Sequence, residues 1–110
     1  MFKIDPEPTF TAEVELSVPG QPAALLSVRW KHLTRDKLRE WIDGLADLKL
    51  SDVDGLDFVI AGWDGVIDQQ GQDVPYSKDR LRSLLGSYHA ASAELVRAYV
   101  RALTESRLGN

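Results

Sequence analysis

The sequence predicts an α+β domain: an N-terminal antiparallel β-hairpin followed by a cluster of about four α-helices. Three observations carry that prediction. Apolar and polar residues alternate with period two from Phe10 to Val18, Pro19-Gly20-Gln21-Pro22 supplies turn chemistry, and apolar residues then recur at helical spacing from Thr34 to Leu103.

In the first strand Phe10, Ala12, Val14, Leu16 and Val18 share one face, with Thr11, Glu13, Glu15 and Ser17 on the wet one. The second strand runs from Ala24 to about Lys31, with Ala24, Leu26, Val28 and Trp30 inward and Arg29 and Lys31 outward. Pairing as a hairpin is expected to bring Glu13 and Glu15 to Arg29 or Lys31, a contribution of ~0.2–1 kcal/mol per pair. A short third strand is expected at Phe2–Ile4.

Thr34 caps the first helix, with Leu33 and Leu38 at the spacing of a hydrophobic staple. Leu38, Trp41, Ile42 and Leu45 form its buried stripe, and Gly44 weakens it towards an end near Leu48. A second helix is expected from Ser51 or Asp52 to Gly65, burying Leu56, Val59, Ile60 and Trp63. The polar segment from Asp64 to Pro75 reads as a loop or small hairpin. Ser77 caps a third helix with the stripe Leu81, Leu84, Leu85 and Tyr88. The last helix is expected from about Ala91 to Arg107, with Leu95, Val96, Tyr99, Val100 and Leu103 inward, and Ala91, Ala98 and Ala102 admitting a close neighbour.

With 110 residues and 44% hydrophobic content, residues 1–110 make one domain with one core. The absence of cysteine excludes disulfides and thiolate chemistry and is compatible with a reducing compartment. No basic segment precedes an apolar run at the N-terminus, and no apolar stretch approaches the ~20 residues that span a bilayer, so neither secretion nor membrane insertion is expected. A net charge of −4 argues against nucleic-acid binding. The charge is unevenly spread: residues 1–73 hold seven basic and fourteen acidic side chains, residues 74–110 six basic and three acidic. That contrast favours head-to-tail association of copies, with Arg97 and Arg101, four apart on the last helix, on the basic side.

Catalytic and metal chemistry find little support. His32 and His89 match no zinc spacing, and Ser87 or Ser92 beside His89 gives sequence neighbours rather than a nucleophile–base geometry. Asp52, Asp54 and Asp57, or Asp64, Asp68 and Asp73, lack the twelve-residue calcium pattern; capping and solvation account for both sets. Gly62, Gly65 and Gly71 match no nucleotide-binding loop, so no cofactor is expected.

One ordered set of residues is more specific. Gly62-Trp63-Asp64-Gly65-Val66 is followed by Asp68 and Gly71, then Pro75-Tyr76-Ser77, then an Ala-rich last helix with Tyr99 in its middle. This series resembles the tail assembly chaperones of long, flexible-tailed bacteriophages. The Pro-containing start, the Pro-Gly turn and Arg29-Trp30-Lys31-His32 before the first helix extend the likeness over most of the chain. The resemblance implies a non-enzymatic protein of the bacterial host cytoplasm that binds the tape-measure protein and holds it soluble while the tail tube polymerises. It also implies that this chain is the shorter of two products, the longer arising by ribosomal frameshifting. Lys78, Arg80 and Arg82 make the third helix more cationic than the family pattern. The motif residues are expected to be structural, with Trp63 buried and its N–H bonded to a loop carbonyl. Candidate interaction residues are Arg97, Arg101 and Leu108 at the chain's end. The competing class is a structural tail or head-tail joining subunit.

Overall fold

A computed structural model describes residues 1–105. Strands β1 (Thr9–Leu16) and β2 (Ala24–Lys31) pair antiparallel from Thr9↔Lys31 to Leu16↔Ala24 without a break. Helices α1 (Arg35–Ala46) and α2 (Asp52–Val59) follow, then β3 (Ile60–Asp64), α3 (Lys78–Ser87) and α4 (Ala91–Thr104). The sheet order is β1-β2-β3, so the hairpin gains a third antiparallel strand and β1 forms one edge. Arg107 and Leu108 lie outside the described residues.

The α+β plan is the one the sequence predicts, and several local expectations are corrected, among them the burial of Tyr88, which is 38% exposed. The second helix stops at Val59, because Ile60–Asp64 pairs with the otherwise open edge of β2: Ser27 faces Asp64, Val28 faces Trp63 and Arg29 faces Gly62. Phe2–Ile4 is not a strand, and both apolar side chains are about nine-tenths exposed. The hairpin register sets Glu13 opposite Ser27 and Glu15 opposite Leu25, so neither meets Arg29 or Lys31 directly. Arg29 instead reaches β3, donating to the Ala61 carbonyl at 3.2 Å. The first helix ends at Ala46, two residues before Leu48, and Ile42 in its expected buried stripe is 36% exposed.

Three helix starts form as their sequences dictate. Thr34, Ser51 and Ser77 each accept a hydrogen bond from the backbone N–H three residues on, at 3.3, 3.0 and 3.1 Å. Helix α4 has no side-chain cap of this kind. Its Glu94 carboxylate accepts from the Ser17 N–H at 2.9 Å and the Ser17 hydroxyl at 2.5 Å, tying its first turn to the end of the hairpin.

The inner face of the sheet supplies Val14, Leu16, Leu26, Val28 and Trp30 to the core. Leu38, Trp41, Leu56, Val59, Leu81 and Leu95 cover it from the helices, around a fully buried Tyr99. The Tyr99 ring lies 4.9 Å from Trp30 and meets Trp41 edge-on at 5.2 Å, and its hydroxyl donates to the Lys31 carbonyl at 2.7 Å. Trp41 donates to the Gly55 carbonyl at 2.8 Å, locking α1 to α2. The buried Trp30 N–H meets no acceptor among the described residues.

Candidate partner-binding surfaces

The residues from Gly62 to Ser77 form a brace between β3 and α3. Trp63, 8% exposed, donates from its indole N–H to the Val74 carbonyl at 2.8 Å and meets the Tyr76 ring edge-on at 4.9 Å. Gly65 takes φ +95°, a conformation open to glycine, and turns the chain out of β3 beyond the exposed Asp64. Between Val66 and Val74 the chain makes a miniature hairpin: Val74 N–H bonds the Val66 carbonyl at 2.8 Å and Ile67 bridges Asp73. The Asp68 carboxylate accepts from the Gln70 and Gln72 N–H groups at 2.9 Å each, which closes its tip. After Pro75, the Tyr76 hydroxyl donates to Asp57 at 2.6 Å; burial first, and then Asp57, raise the pKa of the phenol. Ser77 caps α3, whose Lys78 reaches Asp54 of α2 at 2.6 Å. That bond is the main reason the Asp54 carboxyl lies below the usual range.

The cationic start of α3 is therefore partly matched by the acidic start of α2. Arg82 pairs with Asp79 on its own helix at 2.7 Å. Asp54 and Asp57 are engaged separately, and among the described residues no three His, Cys, Asp or Glu side chains converge as a metal site requires. His89 stands exposed just before α4, and the His32 N–H bonds the Pro8 carbonyl at 2.9 Å.

Helix α4 presents two flanks beside its buried line of Ala91, Leu95 and Tyr99. Glu94, Ala98 and Ala102 succeed one another on the side tied to β1, and Val96 and Val100 lie on the side towards α1. A groove of about 1140 Å³ follows the helix, lined by Ala12 and Val14 of β1, Ile42 of α1, and Val96, Ala98, Val100 and Ala102 of α4. A second, of about 750 Å³, lies between the end of α1 and the start of α4, over Leu45, Leu48, Leu50, Ala93 and Val96. Val96 and Arg97 line both, so the two adjoin at α4. The structure thus places Arg97 and Arg101 on the exposed crest of α4 above apolar walls, and Arg101 lies 3.9 Å from Glu105. At the lip Leu48 adopts φ 60° with its side chain 89% exposed. Glycine is the usual residue at that position after a helix, and a leucine there costs roughly 1 kcal/mol or more.

These grooves and the exposed crest of α4 are surfaces open to a partner, and among the described residues no metal-binding cluster accompanies them. A family model described as phage tail assembly chaperone matches residues 1–110. The chain belongs to that family, and its role is that of a non-enzymatic assembly factor for a phage tail. No curated protein and no solved structure matches it. No described helix is long and apolar enough to cross a membrane.

Proposed function

We propose that this chain acts as one unit that binds the tape-measure protein in the host cytoplasm and keeps it soluble until the tail tube encloses it. A tape-measure chain is a long helix with apolar stripes, and coating those stripes removes the surface that drives aggregation. The trough between α1 and α4 suits one amphipathic helix: Ile42, Leu45 and Leu48 line one wall, Val96 and Val100 the other. The observation that carries this reading is Leu48, held in an unfavourable backbone conformation so that an apolar side chain stands in water at the lip. The residues from Gly62 to Ser77 act at a distance from the partner, by fixing β3 and α3 beneath the core.

Leu48→Gly tests the reading directly. Glycine relieves the backbone, so the variant is expected to gain about 0.5–1 kcal/mol of stability, while losing capture of co-expressed tape-measure helices in the soluble fraction. Unchanged capture by Leu48→Gly and by Val96→Asp overturns the trough as the binding face. Finding the chain as a stoichiometric part of finished tails favours a structural tail or joining subunit instead.

The charge division gives a mode of self-association. Arg97 and Arg101 on the crest of one copy meet the acidic N-terminal region of the next, a head-to-tail contact suited to coating a rod. Sedimentation in dilute buffer and in molar salt tests it, and an oligomer indifferent to salt refutes it.

A further inference from the structure

Among the described residues, residues 1–7 and the open edge of β1 pair with no strand, and their chemistry is complementary. The arm is rooted where Pro8 accepts from the His32 N–H, and before that point its side-chain contact is the exposed Lys3–Glu7 ion pair at 2.7 Å. Met1, Phe2 and Ile4 project into water, Phe2 93% and Ile4 88% exposed. Among the described residues strand β1 presents eight residues with an unpaired edge, and apart from Glu13 and Glu15 on its outer face it lacks the usual guards: no proline, no lysine, and an unbroken register with β2.

We propose that the arm of one copy adds as a strand to the β1 edge of a second copy, and that the exchange is reciprocal. Period two decides how the arm fits. With Phe2 and Ile4 turned inward, Lys3 turns outward, onto the face where β1 displays Glu13 and Glu15. Neither of those glutamates has a cationic partner within the described part of the chain. Inward, the flank of α4 beneath the β1 edge carries Ala98 and Ala102, with Ala12 on the strand itself, leaving room where Phe2 and Ile4 arrive. Pro6 and Pro8 lack an N–H and end the added strand after Asp5. Leu45, Leu48 and Leu50 line the second groove rather than the one along β1, so the added strand leaves that part of the surface open.

The contact is apolar and made through the backbone, so it persists in molar salt, where the charge-based association described above is lost. Sedimentation equilibrium in molar salt is therefore the test. The parent chain is expected to dimerise, and Phe2→Asp with Ile4→Asp to weaken the dimer roughly a hundredfold or more. Because both residues are exposed, the thermal midpoint of the monomer stays put, which separates lost association from lost folding. The chain contains no cysteine, so Ile4→Cys in one preparation and Ala12→Cys in another can be joined by a short bis-maleimide. A cross-linked heterodimer supports the exchange. A parent monomeric throughout in molar salt, a dimer insensitive to the double substitution, or linkage only within one chain carrying both cysteines overturns it.

Discussion

Replacing Trp63 with Ala probes whether the Gly62–Ser77 brace serves folding or contact. The indole is 8% exposed, donates to the Val74 carbonyl at 2.8 Å and meets the Tyr76 ring at 4.9 Å. A buried tryptophan removes on the order of 200 Å² from water, worth about 5 kcal/mol at ~25 cal/mol per Å². Measured large-to-small substitutions of this kind cost about 3–5 kcal/mol, consistent with that figure. A domain of this size has about 5–15 kcal/mol in total, so Trp63→Ala removes a large share of it. With an m-value of about 2 kcal/mol/M, the urea midpoint should fall by roughly 2 M, read by circular dichroism at 25 °C. Trp63→Phe keeps most of the buried area and should lose only about 1–2 kcal/mol. If Trp63→Ala unfolds within ~1 kcal/mol of the parent and instead fails to keep tape-measure helices soluble, the structural account is wrong and the side chain belongs to the interface.

Tyr99→Phe removes the hydroxyl that donates to the Lys31 carbonyl at 2.7 Å but leaves the ring contacts, so a loss of about 0.5–1.5 kcal/mol in the same titration is expected. Glu94 is held below its ordinary pKa of 4.5 by the hydrogen bonds from Ser17. A depressed carboxylate contributes stability that is fully present above that value and is lost as pH falls through the lower folded pKa. Glu94→Gln should therefore flatten the acid limb of a melting-temperature profile below about pH 4.5, and an identical acid limb would falsify the tie. Gly65→Ala places a Cβ on a residue at φ +95° and should cost about 1 kcal/mol or more, measured by thermal melting.

The hairpin was legible because one of its faces is wet, so every second residue announces its side. The three capped helix starts were legible for a comparable local reason: Thr34, Ser51 and Ser77 carry their own hydrogen-bond acceptors. Strand β3 was not. Leu56, Val59, Ile60 and Trp63 fall at helical spacing, and the strand shows no alternation because Gly62 is buried beneath the Arg29 side chain. A local signal was present in the β-branched pair Val59-Ile60 followed by Gly62, a glycine that weakens a helix interior. What decided the matter is the pairing edge offered by β2, a tertiary effect. The exposure of Ile42 was hidden for a related reason. Helical spacing marks a stripe as apolar but leaves open whether the chain itself fills the space beside it, and here Ile42 lines an open groove. The same spacing carried no sign of the left-handed Leu48, a position where glycine would have announced the turn.

The bond between Ser17 and Glu94 spans 77 positions, and the ring of Tyr99 rests against strands laid down near the beginning. Synthesis proceeds at about 5–20 residues per second, so roughly 4–15 s separate the birth of the first strand from that of its lid. Through that interval the nascent hairpin's apolar face has only the earlier helices to cover it. The core of this domain is thus closed only when its last helix arrives.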